Sequence, residues 1–420
     1  MKQRWGLQLN ILFTITILSS TSALAQSLIA DAINKNLIAI ESNQPNDNFE
    51  NFDQFAKVIE NSKIVALGEV THGVKEFLDF RITLAKHLVI NLKYKIIVLE
   101  SDFSGAKWIN DYILYGKGNK YEAMNGLKGI WRNKEFASLI DWLKEYNREQ
   151  SFEDKVKIYG SDTEQSITAW QITSGSFKLR NELSNEGKQG LKLIRNTFSK
   201  VTKADLKLLE SLKSELKNEI ADMADTSYRK HCILSVLQSI EWFEAVDWYN
   251  RDKVRDKHIA ENLSWIYEYE KGKKTISLAH NIHIAKNPSF SDVKRAGNYL
   301  KEKFGSDYYV LGFTFFTGQF SAWNEKLGKS QVFTMPETKD EKYSEYVLSH
   351  SNRQNYILDF NSAKSDTVLY RFLTQKTYGK NIGTSYKEGK KELQATYMPL
   401  VDKFDGIAFF RHSKPLAPPY

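Results

Sequence analysis

Short, mostly apolar runs alternate along this chain with segments whose apolar residues recur every three or four positions. Lys63-Ile64-Val65-Ala66-Leu67, Lys95 to Leu99 and Val156 to Tyr159 are runs of the first kind. Val74 to Asn91, Phe103 to Tyr115 and Lys134 to Arg148 are segments of the second kind; Phe77, Phe80, Leu84 and Leu88 mark one helix face, and Phe136, Leu139 and Leu143 another. A run apolar at successive positions suits a strand covered on both faces, and the helical period suits the layers that cover it. The alternation predicts an α/β fold with a mostly parallel sheet flanked by helices.

The alternation stops at Gln165. From there to Lys271 the chain shows long periodic segments (177–198, 204–225, 228–249 and 255–269) and no strand pattern, which predicts a large helical insertion or subdomain over about 165–271. Strand patterns resume at Thr275–Ala279, Tyr308–Phe313, Tyr356–Phe360 and Gly406–Phe410, with Gln319–Trp323 as a hairpin partner. About seven strands are expected.

The parallel reading matters because the carboxyl ends of parallel strands share one edge, where open α/β sheets bind ligands. Three of the strand ends carry acid/base groups: Leu67-Gly68-Glu69-Val70-Thr71-His72-Gly73, Leu99-Glu100, and Leu278-Ala279-His280-Asn281-Ile282-His283. Two Glu and three His would converge on one cleft. His72 titrates near neutrality and suits a general base, and Glu69 could fix its tautomer. The E-x-x-H spacing is also compatible with a plain surface turn. Glu100 closes a buried strand either as a functional group or as an ion-pair partner. Arg81, on the helix after the first loop, could hold a Glu ionised or serve an ordinary ion pair. His280 and His283, paired at a strand end, are the strongest of these pointers. The glycines at 68 and 73 suit a tight backbone path near a ligand. Trp242, Phe243 and Trp248 read either as walls for a bulky substrate or as helix packing.

Several chemistries are excluded. There is no G-x-S-x-G elbow, no phosphate-binding P-loop and no dinucleotide fingerprint. Cys232 is the single cysteine, which rules out a disulfide framework, a Cys-rich zinc site and a dithiol centre. The formal charge of +8 is spread among interleaved acids with no Lys/Arg block, so nucleic acid is not an expected partner. Residues 1–25 read as a signal peptide: Lys2 and Arg4, an apolar core from Leu7 to Leu18, and the small-x-small site Ala23-Leu24-Ala25. The remaining 26–420 would be an exported chain, periplasmic or secreted, with no stable membrane insertion after cleavage.

These residues resemble the erythromycin esterase family. Its G-E-x-T-H-G loop stands here as Gly68 to Gly73, its strand-ending Glu as Glu100, and its A-H-N-x-H segment as Ala279 to His283. Arg81, Asn110-Asp111-Tyr112, Arg255-Asp256 with Glu261-Asn262, and Phe404-Asp405-Gly406 are further matches. The resemblance implies a cofactor-free, metal-independent hydrolase in which activated water opens a 14-membered macrolide lactone, inactivating the antibiotic. It also implies a small-molecule ester as partner and catalytic roles for His72, Glu69, Glu100, His280, His283 and Arg81. On that reading His72 is the base, Glu69 orients it, and His280 and His283 stabilise the oxyanion and protonate the leaving alkoxide. Two rival readings use the same residues. One is a metal-dependent ester hydrolase with Glu69, His72, Glu100 and His280 as ligands. The other is an exported, non-enzymatic binder of a haem-like ligand. Expression of the full-length chain in an exporting host is expected to yield protein starting at Gln26. Intact-mass measurement of the exported fraction checks this, and a chain still carrying residues 1–25 there would contradict it.

Overall fold

The computed structural model describes residues 24, 26–41, 52–164, 166–194, 201–245, 247–287, 293–389 and 395–417. Apart from Leu24, the segment read as a signal peptide lies outside them. Among the described residues a nine-stranded sheet forms from β1 (Leu37–Ala39), β2 (Ile64–Leu67), β3 (Ile96–Asp102), β4 (Lys157–Asp162), β5 (Thr275–Leu278), β6 (Tyr308–Asn324), β7 (Lys329–Met335), β8 (Asn355–Asp359) and the last strand of the chain, Gly406–Ser413. The last strand follows the small ribbon of β9 (Thr377–Lys380) and β10 (Ala395–Met398), and is β11. The order is β1-β8-β11-β6-β2-β5-β3-β4, with β7 paired to β6. The six strands from β11 to β4 are mutually parallel; β1, β7 and β8 join antiparallel.

Each central strand divides its side chains between two apolar layers. Val65, Leu67, Ile97, Leu99, Ile276 and Leu278 pack on one side with the Lys75–Asn91 and Lys134–Arg148 helices. Ile64, Ala66, Ile96, Val98, Tyr308 and Val310 pack on the other with the Trp248–Tyr269 and Ala296–Phe304 helices. Alternate residues of a strand face opposite ways, so burial on both faces accounts for the uninterrupted apolar runs.

In the helical region, Asn185–Leu193, Lys203–Ile220 and Tyr228–Glu244 share a third, separate core. The expected helix over 177–198 is shorter, beginning at Asn185, where the Ser184 side chain caps it. The Trp248–Tyr269 helix differs from its neighbours: Ile259, Ala260, Leu263 and Ile266 pack on the main sheet, so its polar face can reach the strand ends.

Strand β6 departs from expectation. Tyr308–Phe313 and Gln319–Trp323 are one continuous strand, and the hairpin partner of its outer half is β7. Gly318 lies within it at φ 125°, in a position where a Cβ would meet the Ser413 backbone of β11. Gly68 and Gly73 likewise answer to packing between elements: a Cβ would meet Asn281 at the first and the Ser321 carbonyl at the second. Gly73 is thus the contact that seats the His72 loop on β6. Gly73→Ala is expected to cost about 1–3 kcal/mol, the usual range for overpacking, seen as a lower thermal midpoint; an unchanged midpoint would contradict this seating.

Candidate active site

The strand order places the ends of β2, β5, β3 and β4 side by side, and each delivers polar groups to one cleft. Beyond β2, Glu69 Oε1 lies 2.9 Å from His72 Nδ1, and Glu69 Oε2 accepts from Arg81 Nη2 at 2.7 Å. Glu69 and Arg81 are buried, and the Arg81 guanidinium lies 5.5 Å from the Trp131 ring centroid. An arginine fixed in this way is a rigid anchor for the carboxylate that orients His72.

Glu100 extends from β3 into the centre of the site. Its Oε1 accepts from Arg255 Nη2 at 2.8 Å, its Oε2 accepts from the His280 backbone N–H at 2.8 Å, and His283 Nε2 stands 3.7 Å from Oε1. Burial alone would push this carboxyl up. The charges of His283, His72, Arg255 and Lys128 outweigh burial and hold it well below the usual carboxylate range. Asp162, ending β4, accepts from Arg255 at 2.9 and 2.7 Å and pairs with Lys128 at 2.5 Å. Against the same effect of burial, those two cations hold it far down as well.

The two histidines beyond β5 have different surroundings. His280 uses both ring nitrogens on the backbone: Nε2 donates to Val70 O at 3.0 Å, and Nδ1 accepts from Ile282 N at 3.2 Å as the cap of the Asn281–Ile284 turn. Burial, aided by the His72 imidazole, pushes it down to about 3. Both of its ring nitrogens are thus engaged by backbone. His283 Nδ1 donates to Asp256 Oδ1 at 2.8 Å, and Asp256 in turn takes Arg295 Nη1 at 2.8 Å and the Ala296 N–H at 2.9 Å. Burial works against charge on His283, but Asp256 and Glu100 outweigh it, so its pKa is raised. The Asn281 side chain clamps Phe313 of β6 through both of its amide atoms, and its N–H donates to Glu69 O at 2.8 Å.

All six residues expected from sequence thus belong to one assembly. His72, Glu100, His280 and His283 line a cleft of about 360 Å³, a size suited to a small-molecule site. Glu69 and Arg81 lie behind His72. Sequence reasoning gave no role to Asp162, Lys128, Arg255, Asp256 or Arg295. Asp162 could have been found by the strand-end rule that found Glu100, and Arg255-Asp256 stood among the family matches; Lys128 and Arg295 carry no local signal. Among the described residues no group of three or more His, Cys, Asp or Glu is arranged to hold a metal ion. The four proposed ligands are spent on one another, on Arg81 and Arg255, and on backbone, so this donor set does not fit a metal centre.

The ends of this mostly parallel sheet thus gather buried carboxylates and two imidazoles, His72 and His283, each held by a carboxylate. The model of the Erythromycin esterase family matches residues 89–413, and the chain belongs to that family. It is 26% identical over 330 residues to the erythromycin esterase type II of Escherichia coli, covering 68% of this chain and 76% of that one. Among solved structures, it resembles a succinoglycan biosynthesis protein (TM-score 0.77, 24% identity, 93% of this chain and 98% of that one). It also resembles an erythromycin esterase mutant, EreC, in its open conformation (TM-score 0.64, 19% identity, 89% and 97%). At these identities the two structures share the fold.

Because its folded pKa is raised, His283 adds stability that is full below its unfolded value of about 6.5 and is lost as pH rises through the folded value. Asp256→Asn is expected to lower the pH at which His283 releases its proton, followed by histidine NMR. An unmoved titration would contradict the assignment of Asp256 as its partner.

Proposed function

We propose that this protein is a carboxylic ester hydrolase that opens the lactone ring of 14-membered, erythromycin-like macrolides. Family membership supports the reaction class, and the arrangement of His72 supports the mechanism. The single observation that carries it is the Arg81–Glu69–His72 chain of 2.7 and 2.9 Å contacts, ending at a cleft. Glu69 holds His72 through Nδ1 and leaves Nε2 to take a proton from water as the water oxygen attacks the ester carbonyl. The tetrahedral oxyanion forms beside Arg255 and His283. As the carbon–oxygen bond breaks, the proton on His283 Nε2 passes to the leaving alkoxide, and the proton on His72 returns the site to its starting state through solvent. The products are a carboxylic acid and an alcohol, one water heavier than the lactone. Against burial, Asp256 and Glu100 raise the pKa of His283, which favours its charged form. Of the roles implied by resemblance, only that of His280 changes: its backbone N–H holds the Glu100 carboxylate and its ring the Val70 carbonyl, and His283 alone is the acid. Residues 1–25, as a signal peptide, would put this activity outside the cytoplasm, where it meets the drug before the ribosome does.

His72→Asn is expected to lower macrolide turnover by roughly two to four orders of magnitude, the usual yield of a general base, with an unchanged thermal midpoint. Mass spectrometry of the lactone, gaining one water, gives the rate. Near wild-type turnover in folded His72→Asn protein would overturn the mechanism.

A further inference from the structure

A second, smaller cavity lies between the turn after β5 and the β9–β10 ribbon. Its volume is about 30 Å³, room for one or two water-sized groups. Ile282 and Asn381 line both it and the active-site cleft, so the two spaces share a wall. The cavity holds a buried amine. Lys403, the last residue of the Leu400–Lys403 turn, is 6% exposed. Its Nζ has one hydrogen-bond partner among the described residues, Thr396 Oγ1 at 2.9 Å, and lies 5.6 Å from the Phe404 ring centroid. A lysine ammonium carries three N–H donors, so two are left over.

The acid that faces this amine is Glu345, and it is already engaged. Its Oε1 accepts from Thr314 Oγ1 at 2.8 Å and from Lys380 N at 2.9 Å, and its Oε2 accepts from Ser344 Oγ at 3.3 Å. Lys380, which also lines the cavity, turns its Nζ to the Phe315 and Phe316 carbonyls at 2.8 and 3.1 Å. Burial pushes the Lys403 ammonium down to about 8, against the opposing charge of Glu345. At pH 7 that leaves on the order of a hundredfold more free amine than at an ordinary solvated lysine. Gly379 of β9 makes room at the nitrogen: a Cβ there would stand 3.1 Å from Lys403 Nζ, 3.4 Å from Ser344 Oγ and 3.8 Å from Thr396 Oγ1. The missing side chain leaves a cradle bounded by a nucleophile and two hydroxyls, a setting for a carbonyl carbon and its oxygen. The cavity limits the carbonyl compound to a short chain, and Glu345 opposes one that brings a second negative charge.

We propose that Lys403 is an imine-forming site for a short, uncharged aldehyde of two or three carbons, seated in the cradle at Gly379 with its oxygen between Ser344 and Thr396. The ammonium gives one proton to Glu345 through the Ser344 hydroxyl. The nitrogen then bonds to the carbonyl carbon, and the carbonyl oxygen takes a second proton from the nitrogen. When Glu345 returns its proton through Ser344, the carbon–oxygen bond breaks and water leaves. A protonated imine with one N–H remains, and charge is conserved without oxidant or reductant. None of the six residues of the acid/base site takes part, so the proposal stands apart from the ester-hydrolase reading.

The test treats folded protein at pH 7 with acetaldehyde and cyanoborohydride, which reduces an imine to a stable ethylamine. Peptide mass spectrometry over time reads the rate at each lysine. Lys403 is expected to gain its ethyl group at least about tenfold faster than the exposed Lys271 and Lys329 of the same molecule. Gly379→Ala, which fills the cradle, is expected to slow Lys403 about tenfold and leave Lys271 within about twofold, with a thermal midpoint near that of wild type. Lys403 reacting no faster than Lys271 and Lys329, or equally fast in folded Gly379→Ala protein, would overturn the site. Should Gly379→Ala not fold, the wild-type comparison decides alone.

Discussion

Glu100 carries a negative charge to a point that water scarcely reaches, and the surrounding elements are arranged around that charge. An unpaired carboxylate at such a depth would cost several kcal/mol. Here one oxygen takes the Arg255 guanidinium and the other takes the His280 N–H, while His283 adds a positive charge close by. Arg255 comes from the Trp248–Tyr269 helix and the two histidines from the turn after β5, and each is itself anchored: Arg255 by Asp162, His280 by Val70, and His283 by Asp256 and through it Arg295. The site is therefore over-determined, which keeps the cleft-facing groups in place without substrate.

This arrangement depends on the sheet order. β3, β5 and β2 are adjacent and parallel, so Glu100, His280 and the His72 loop emerge at one edge although more than two hundred residues of sequence separate the first loop from the last. The Trp248–Tyr269 helix provides the other half. It leaves the helical region, packs its apolar face on the sheet and points Arg255 and Asp256 toward the strand ends. The outer wall is supplied late in the chain, by the β6–β7 hairpin and the 381–387 segment bound to it. The strand ends thus hold the clustered ionisable groups, and the later segments line the mouth of the cleft.

The α/β core was legible in the sequence because burial on both sheet faces leaves an unmistakable mark, short apolar runs that begin and end abruptly. Lys134–Arg148 matches its expected helix residue for residue, and β2 falls within the run read for it. That Glu69, His72, Glu100, His280 and His283 share one cleft edge was legible because strand ends can be located even when the strand order cannot; Arg81 was legible as a Glu partner from its place on the helix after the first loop. What stayed hidden has physical reasons. β6 reads as two strands because Gly318 looks like a break, whereas the glycine is there to let β11 approach. β1 is three residues paired to β8, too short for any periodicity to show. Lys128 and Arg295 neutralise carboxylates on other elements, and nothing in their own neighbourhood announces it. His280 and His283 look equivalent in sequence; the structure gives one backbone partners at both ring nitrogens and the other the Asp256 carboxylate.

The central claim is that His72 is the base that activates water. Chemical rescue measures this most directly: folded His72→Ala protein is assayed for lactone hydrolysis in the presence of imidazole and substituted imidazoles of graded basicity. Turnover restored by imidazole, and rising with the basicity of the added base, is the result expected of a missing general base. No rescue, or rescue indifferent to base strength, would contradict it.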